Sequence, residues 1–284
     1  MASVFLKFTA TLLAALLTCT FPACAYERII SLYPGHTDNI IALNGQSKLV
    51  GISQNDDPET LPGLLRFPMK TGAEALLALK PDLVLMRTLV TKQNPELKDV
   101  LERAGVKVIL IDPPSWEGFA EYLRELAPLI DVNPDDAAAL FIRICSEIRE
   151  KAEGLRKGRT VSVFVESTAR DLHTCAPDSW AARLIELAGG TNAAASAVPA
   201  RRGSAVAPWG LERVMKLLSA GLDVYLVQNG AMNRTTPEEL KARSWASALG
   251  TAKVAFIPEA HLARPSLKGL RECGMKLIQI FYGE

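Results

Sequence analysis

Residues 134–157 read as one unbroken amphipathic helix between two stretches of alternating strands and helices, and this feature constrains the fold more than any other. Asn133 suits an N-cap, Pro134 the first helical position, and Asp135 and Asp136 the positive end of the helix dipole. The apolar positions Leu140, Ile144, Ile148, Ala152 and Leu155 recur at helical spacing, with Arg143, Glu147, Arg149 and Glu150 on other faces. Gly158 is a natural stop. Such a helix is a rod of about 36 Å. It either packs inside one large domain or joins two lobes as a stiff strut. The second arrangement is favoured because each flank carries its own strand–helix series, and a rigid connector restricts hinge motion.

On the N-terminal side, strands are expected at Arg28–Ser31, Leu49–Ser53, Leu83–Met86 and Val106–Ile111. Helices are expected at His36–Leu43, Ala73–Leu79, Pro95–Ala104 and Trp116–Leu129. A second series has strands at Thr160–Glu166, Val224–Gln228 and Val254–Ile257. Its helices are Trp180–Ala188, Leu211–Leu218, Pro237–Arg243 and Leu267–Phe281. Strands alternating with helices indicate βαβ units, so the fold class is α/β: two Rossmann-like lobes with mainly parallel sheets. The expected division is 26–132 for the first lobe, 133–158 for the connecting helix and 159–284 for the second lobe. A faint internal echo joins the halves, since Glu74 and Glu212 each open a helix that is followed by a break, an Asp and a buried strand.

The first 25 residues read as an address. Lys7 precedes the apolar run Phe8–Leu17, which is too short to span a bilayer, and Ala23-Cys24-Ala25 fits a signal peptidase site. Cleavage after Ala25 implies export to the periplasm; the residues before Cys19 and Cys24 fit a lipoprotein signal poorly. Export leaves Cys145, Cys175 and Cys273. Cys145 sits at helical spacing among Phe141, Ile144 and Ile148 and reads as a buried hydrophobe, which leaves Cys175 and Cys273 as the candidate disulfide. Lys+Arg 32 balance Asp+Glu 31, so the chain lacks the basic excess of a nucleic-acid binder.

Several phrases in order resemble one family. They are Arg28-Ile-Ile-Ser-Leu-Tyr-Pro, Leu49-Val-Gly-Ile-Ser, Ala78-Leu-Lys-Pro-Asp-Leu-Val-Leu, Gly105-Val-Lys-Val, the long helix, and Ile185-Glu-Leu-Ala-Gly-Gly-Thr-Asn. Together they resemble the substrate-binding proteins of ABC importers whose two lobes are joined by one long helix, a class that takes up iron–siderophore complexes, haem, cobalamin and, in some members, metals or oxyanions. The resemblance implies a monomer that captures an iron(III) chelate or a corrinoid between its lobes and delivers it to a permease and its ATPase subunits. It implies no enzymatic activity and no resident cofactor. It also implies that Glu74 and Glu212 dock on arginines of the permease. The stretch Asp171-Leu-His-Thr-Cys-Ala-Pro-Asp-Ser-Trp departs from the glycine-rich approach usual before the second-lobe helix.

Ligands of open α/β sheets lie beyond the carboxyl ends of the strands, so the loops after the strands supply the expected ligand contacts. These are Tyr33, His36, Arg87 and Trp116 from the first lobe, and Arg170, Trp209, Arg234 and Arg264 from the second. Tyr or His suits an axial iron position, Arg a carboxylate or catecholate, and Trp a stacking surface. Trp180 and Trp245 read instead as core or hinge packing. A rival reading brings His36, His173 and His261 together as metal ligands, in a receptor for a bare ion or oxyanion or in a periplasmic metal-dependent hydrolase. The chain has no Gly-x-Ser-x-Gly elbow, Walker loop or His-Glu-x-x-His helix.

Overall fold

The computed structural model describes residues 26–283; the expected leader, with Cys19 and Cys24, lies outside them. Strands β1 (Ile29–Ser31), β2 (Leu49–Ser53), β3 (Leu65–Phe67), β4 (Leu83–Met86) and β5 (Lys107–Leu110) form a sheet in the order β3-β2-β1-β4-β5, every pair parallel. Helices α1 (Pro34–Ala42), α2 (Ala73–Leu77), α3 (Thr88–Gln93), α4 (Glu96–Arg103) and α5 (Phe119–Leu126) accompany it. β1 and β4 are buried throughout, because a parallel sheet covered on both faces has no solvent side; β4 is accordingly a continuous apolar run, and β1 is apolar up to the buried Ser31.

The connecting helix α6 runs from Pro134 to Arg156. The Asn133 side chain accepts from the backbone N–H groups of Asp135 (2.9 Å) and Asp136 (3.2 Å), and the chain leaves the helix through left-handed Lys157 and Gly158. Beyond it lie β6 (Val161–Glu166), β7 (Thr174–Cys175), β8 (Gly190–Asn192), β9 (Val206–Ala207), β10 (Val224–Asn229) and β11 (Lys253–Pro258). Four of these make a second parallel sheet, β11-β10-β6-β8, while β7 and β9 pair as a short antiparallel ribbon. Its helices are α7 (Trp180–Leu187), α8 (Leu211–Ser219), α9 (Pro237–Lys241), α10 (Glu259–Leu262) and α11 (Leu267–Tyr282). The fold is therefore α/β with two parallel-stranded sheets, one on each side of a long helix.

The fold departs from the sequence reading in several places, among them helices α3 and α10, which were not expected. The short strands β3, β7, β8 and β9 carry too few residues to show a period. The expected helix 116–129 begins only at Phe119, because the Ser115 hydroxyl accepts from Gly118 N–H (3.2 Å) and holds Trp116 in a turn. Finally, Cys175 and Cys273 do not pair: all three cysteines are free and buried, each filling its own place in the apolar core. Burial pushes the Cys145 and Cys175 thiols up to about 11 and that of Cys273 up to about 12, so they are inert at neutral pH.

The strut does more than hold the lobes apart. α6 packs on α5, α7 and α11, and one apolar core runs without interruption from Ile29 and Leu83 in the first lobe to Val163 and Leu226 in the second. At its centre Trp116 and Phe119 of the first lobe meet Phe141 of α6 and Trp180 of the second lobe. Ring centroids are 4.6 Å apart for Trp116–Trp180 and 4.9 Å for Phe119–Phe141. Aromatic pairs of this kind contribute about 0.5–1.5 kcal/mol each beyond their buried area.

Candidate functional site

A cleft lies between the lobes, in two chambers of about 500 and 570 Å³. Tyr33 and Arg87 from the first lobe, and Glu259 and Ala263 from the second, line both chambers and so form the neck between them. Each residue reaches this position by the same rule: Tyr33 follows β1, Arg87 follows β4 and Glu259 follows β11, all at the carboxyl ends of parallel strands.

Local structure aims these side chains. Tyr33 occupies the N-cap position of α1, and its ring folds over Gly35, where any Cβ would collide with it. The Arg87 guanidinium lies over the same ring, 4.7 Å from its centroid, as a cation–π pair. Burial pushes the Tyr33 phenol above its usual range, opposed by the nearby Arg87 and Arg264 charges. On the second lobe a Glu259 carboxylate oxygen accepts from Ala231 N–H (3.1 Å), and Gly230 gives it room, since a Cβ there would come within 2.5 Å of the Glu259 Cβ. The loop carrying Gly230 and Met232 to the cleft is anchored by the fully buried Glu166. That carboxylate accepts from Arg243 (2.6 and 2.8 Å), Tyr225, Asn233 and Thr235. On the first lobe Arg66 plays the equivalent part, donating to four backbone carbonyls between Asp56 and Thr60 and so fixing the loop that brings Asn55 to the first chamber.

Of the eight residues expected to contact a ligand, three line the cleft: Tyr33, Arg87 and Arg264. Arg264 also crosses between the lobes to Asp38 (3.2 Å). His36 does not face the cleft. It is wholly buried, with Nδ1 2.9 Å from the Tyr122 hydroxyl and Nε2 3.0 Å from the Ile111 carbonyl, so both ring nitrogens are engaged. Burial lowers its pKa to about 4 and keeps it neutral. Trp116 belongs to the aromatic cluster between the lobes rather than to the cleft lining. Trp209 packs near Phe164 under the Arg213 guanidinium, away from the cleft. Arg170 and Arg234 are solvent-exposed and line neither chamber. The three histidines do not converge: among the described residues no group of three His, Cys, Asp or Glu side chains is placed to hold a metal. His261 turns toward Glu272 on α11 (3.9 Å), and His173 bridges back to Thr168.

The cleft also contains residues that the sequence reading left out: Glu259 and Gln228 after or within second-lobe strands, Met69 and Met232, and above all Trp180. Trp180 is in the packing cluster, as its sequence reads, yet it also forms a wall of the larger chamber. Its place at the first position of α7, directly after the Ser179 cap, was the one signal pointing to the cleft side. Glu74 and Glu212 stand exposed in the first turns of α2 and α8, with Glu212 2.7 Å from Lys216.

Comparison with known proteins places this arrangement. The profile of the family described as periplasmic binding protein matches residues 29–259. The vitamin B12-binding protein of Yersinia pestis is 32% identical over 192 residues, 66% of this chain and 66% of that protein. The uncharacterized ABC transporter substrate-binding lipoprotein YvrC of Bacillus subtilis is 27% identical over 180 residues, 60% of this chain and 56% of the relative. The matched stretches thus span a little over half to about two thirds of those relatives' lengths. Among solved structures, a periplasmic haem-binding protein of Pseudomonas aeruginosa superposes with a TM-score of 0.68 at 20% identity, covering 90% of this chain and 93% of that one. The periplasmic vitamin B12-binding protein of Vibrio cholerae gives 0.61 at 20% identity, covering 90% and 96%. At such identities the likeness shows the fold.

Proposed function

The chain belongs to the periplasmic binding protein family, and we propose that it is the extracytoplasmic substrate-binding component of an ABC importer, capturing an iron(III) chelate or a corrinoid and delivering it unaltered to a permease. The observation that carries this reading is the two-chambered cleft at the carboxyl ends of both parallel sheets, with chambers of about 500 and 570 Å³ joined across Tyr33 and Arg87. Small-molecule sites usually measure about 300–1,000 Å³, so the joined chambers suit a large guest better than a bare ion or an oxyanion. Vitamin B12 and haem, the ligands in the relatives' names, are guests of that kind.

In this reading Tyr33, Arg87, Arg264, Trp180 and Glu259 contact the ligand, Glu74 and Glu212 contact the permease, and the protein acts as a monomer exported by its N-terminal signal, with cleavage after Ala25. Titration of the mature protein with haemin, cyanocobalamin and ferric siderophores, followed by tryptophan fluorescence, tests it. The expected outcome is one ligand bound per chain and recovered unchanged. Absence of binding to every member of the panel, or chemical conversion of a bound one, overturns the proposal.

A further inference from the structure

Side chains along a strand alternate between the two faces of its sheet. On β10, Tyr225 and Val227 enter the apolar cluster around Phe164, whereas Val224 and Leu226 enter the core shared by the two lobes. Gln228 continues the Val224–Leu226 row by one step toward the carboxyl end of the strand, where it lines the larger chamber together with Trp180 and Pro265. It is the one polar residue of that row. Although Gln228 is only 2% exposed, its amide has no hydrogen-bond partner among the described residues. Neither amide atom is among the fully enclosed ones, so what surface they keep opens on the chamber. Native proteins pair nearly all buried polar groups, and an apolar side chain would extend this row without the cost of burying an amide. Water serves the amide while the cleft is open. A guest that fills the chamber displaces that water and must supply the partners itself.

The side chain defines the partner. A glutamine amide presents a C=O acceptor and an NH2 donor side by side, and a second carboxamide answers both at once. An ionised carboxylate only accepts, so it would leave the Gln228 oxygen unpaired. The charges of the chamber act in the same direction. Arg87 is opposed there by two carboxylates, Glu259 and the exposed Asp178, and a further carboxylate would add to this excess of acid. Accepting the cleft as the ligand site, we infer that Gln228 is a specificity-determining residue that takes a carboxamide of the guest at the floor of the larger chamber. The cleft thereby selects amide-bearing guests over their acids.

Matched probes that differ only in this group test the inference: cyanocobalamin, whose corrin ring is fringed with primary amides, against its separated monocarboxylic acids, and haemin against its diamide. At the position that reaches Gln228 the amide should bind about ten-fold more tightly than the acid, the scale of one buried hydrogen-bonding group left unpaired. Gln228→Leu should erase that preference and raise the thermal midpoint of the unliganded protein, because it replaces a buried amide by an apolar side chain on an apolar row. Gln228→Glu keeps the shape but cannot donate and adds a charge, so it should weaken the amide several-fold and the acid more. A cooperative thermal transition shows that each variant is folded. A merely structural glutamine would instead shift amide and acid equally and lower the midpoint of Gln228→Leu. Acids bound as tightly as their amides at every position, or an amide-to-acid ratio that neither variant alters, overturns the inference and leaves the cleft reading standing. Binding of no probe overturns both.

Discussion

Asp56 is buried with neither carboxylate oxygen hydrogen-bonded among the described residues, because the neighbouring Thr37 hydroxyl is committed to Ser31 Oγ at 2.9 Å. Burial pushes its pKa up to about 7 from the usual 3.8. The folded chain therefore holds this proton more tightly than the unfolded chain, so stability is full below about pH 4 and falls as pH rises toward 7. Asp56→Asn should raise stability at pH 8 by roughly 2–4 kcal/mol and make no difference at pH 3.5, as thermal or urea midpoints would record. His36 works in the opposite direction. Its pKa is lowered to about 4 from 6.5, so its contribution is full above pH 6.5 and is lost on acidification toward 4. In the native protein the two effects overlap and oppose each other. In Asp56→Asn the His36 effect is no longer masked by Asp56, and adding His36→Gln should lessen the loss of stability between pH 6.5 and 4; an equal loss with and without that second change would refute the assignment.

At the scale of elements, α1 is unusual because its residues 34–40 are all buried although four of them are polar. Two of these side chains, Asp38 and Asn39, reach the second lobe. Asn39 donates to the carbonyls of Gly35 (2.7 Å) and Pro265 (3.2 Å), and its oxygen accepts from Leu267 N–H (2.9 Å) at the start of α11. Asn39→Ala leaves the buried Pro265 carbonyl and Leu267 N–H without the amide and should cost about 2–4 kcal/mol in denaturant unfolding. A loss below about 0.5 kcal/mol would show that water replaces the amide. None of this was legible beforehand, since a run such as Pro-Gly-His-Thr-Asp-Asn looks like a loop or an exposed helix start until its partner 226 residues away is known. The connecting helix was legible to within a residue at its end, because Asn133, Pro134 and Gly158 act on their immediate neighbours alone.

For the whole molecule, the shared apolar core and the α1–α11 contact restrain the lobes, so ligand capture should involve a small adjustment about α6 and not a wide hinge swing. The proposed docking role of the exposed Glu74 and Glu212 is tested at this scale. Charge reversal at both, Glu74→Arg with Glu212→Arg, should abolish uptake by cells while leaving the ligand dissociation constant within about two-fold, since exposed charges at a transient interface set docking and not the distant cleft. Retained uptake, or a large loss of affinity, would remove these residues from the docking role.

The boundary between what could be read and what could not follows the range of the forces. Periodicity, capping and turn chemistry act within a few residues, so β2, β4, α6 and the α/β class followed from the sequence alone, and with them the loops that bear Tyr33, Arg87 and Arg264. Which side chain of a loop faces the cleft depends on packing between distant segments. His36 was turned inward by Tyr122 and the Ile111 carbonyl, Trp116 was drawn into the cluster with Phe141, and Trp180 was left with one face on that cluster and one on the cavity. Those orientations are properties of the assembled core, because burial and pairing are decided only once residues far apart in the chain have met.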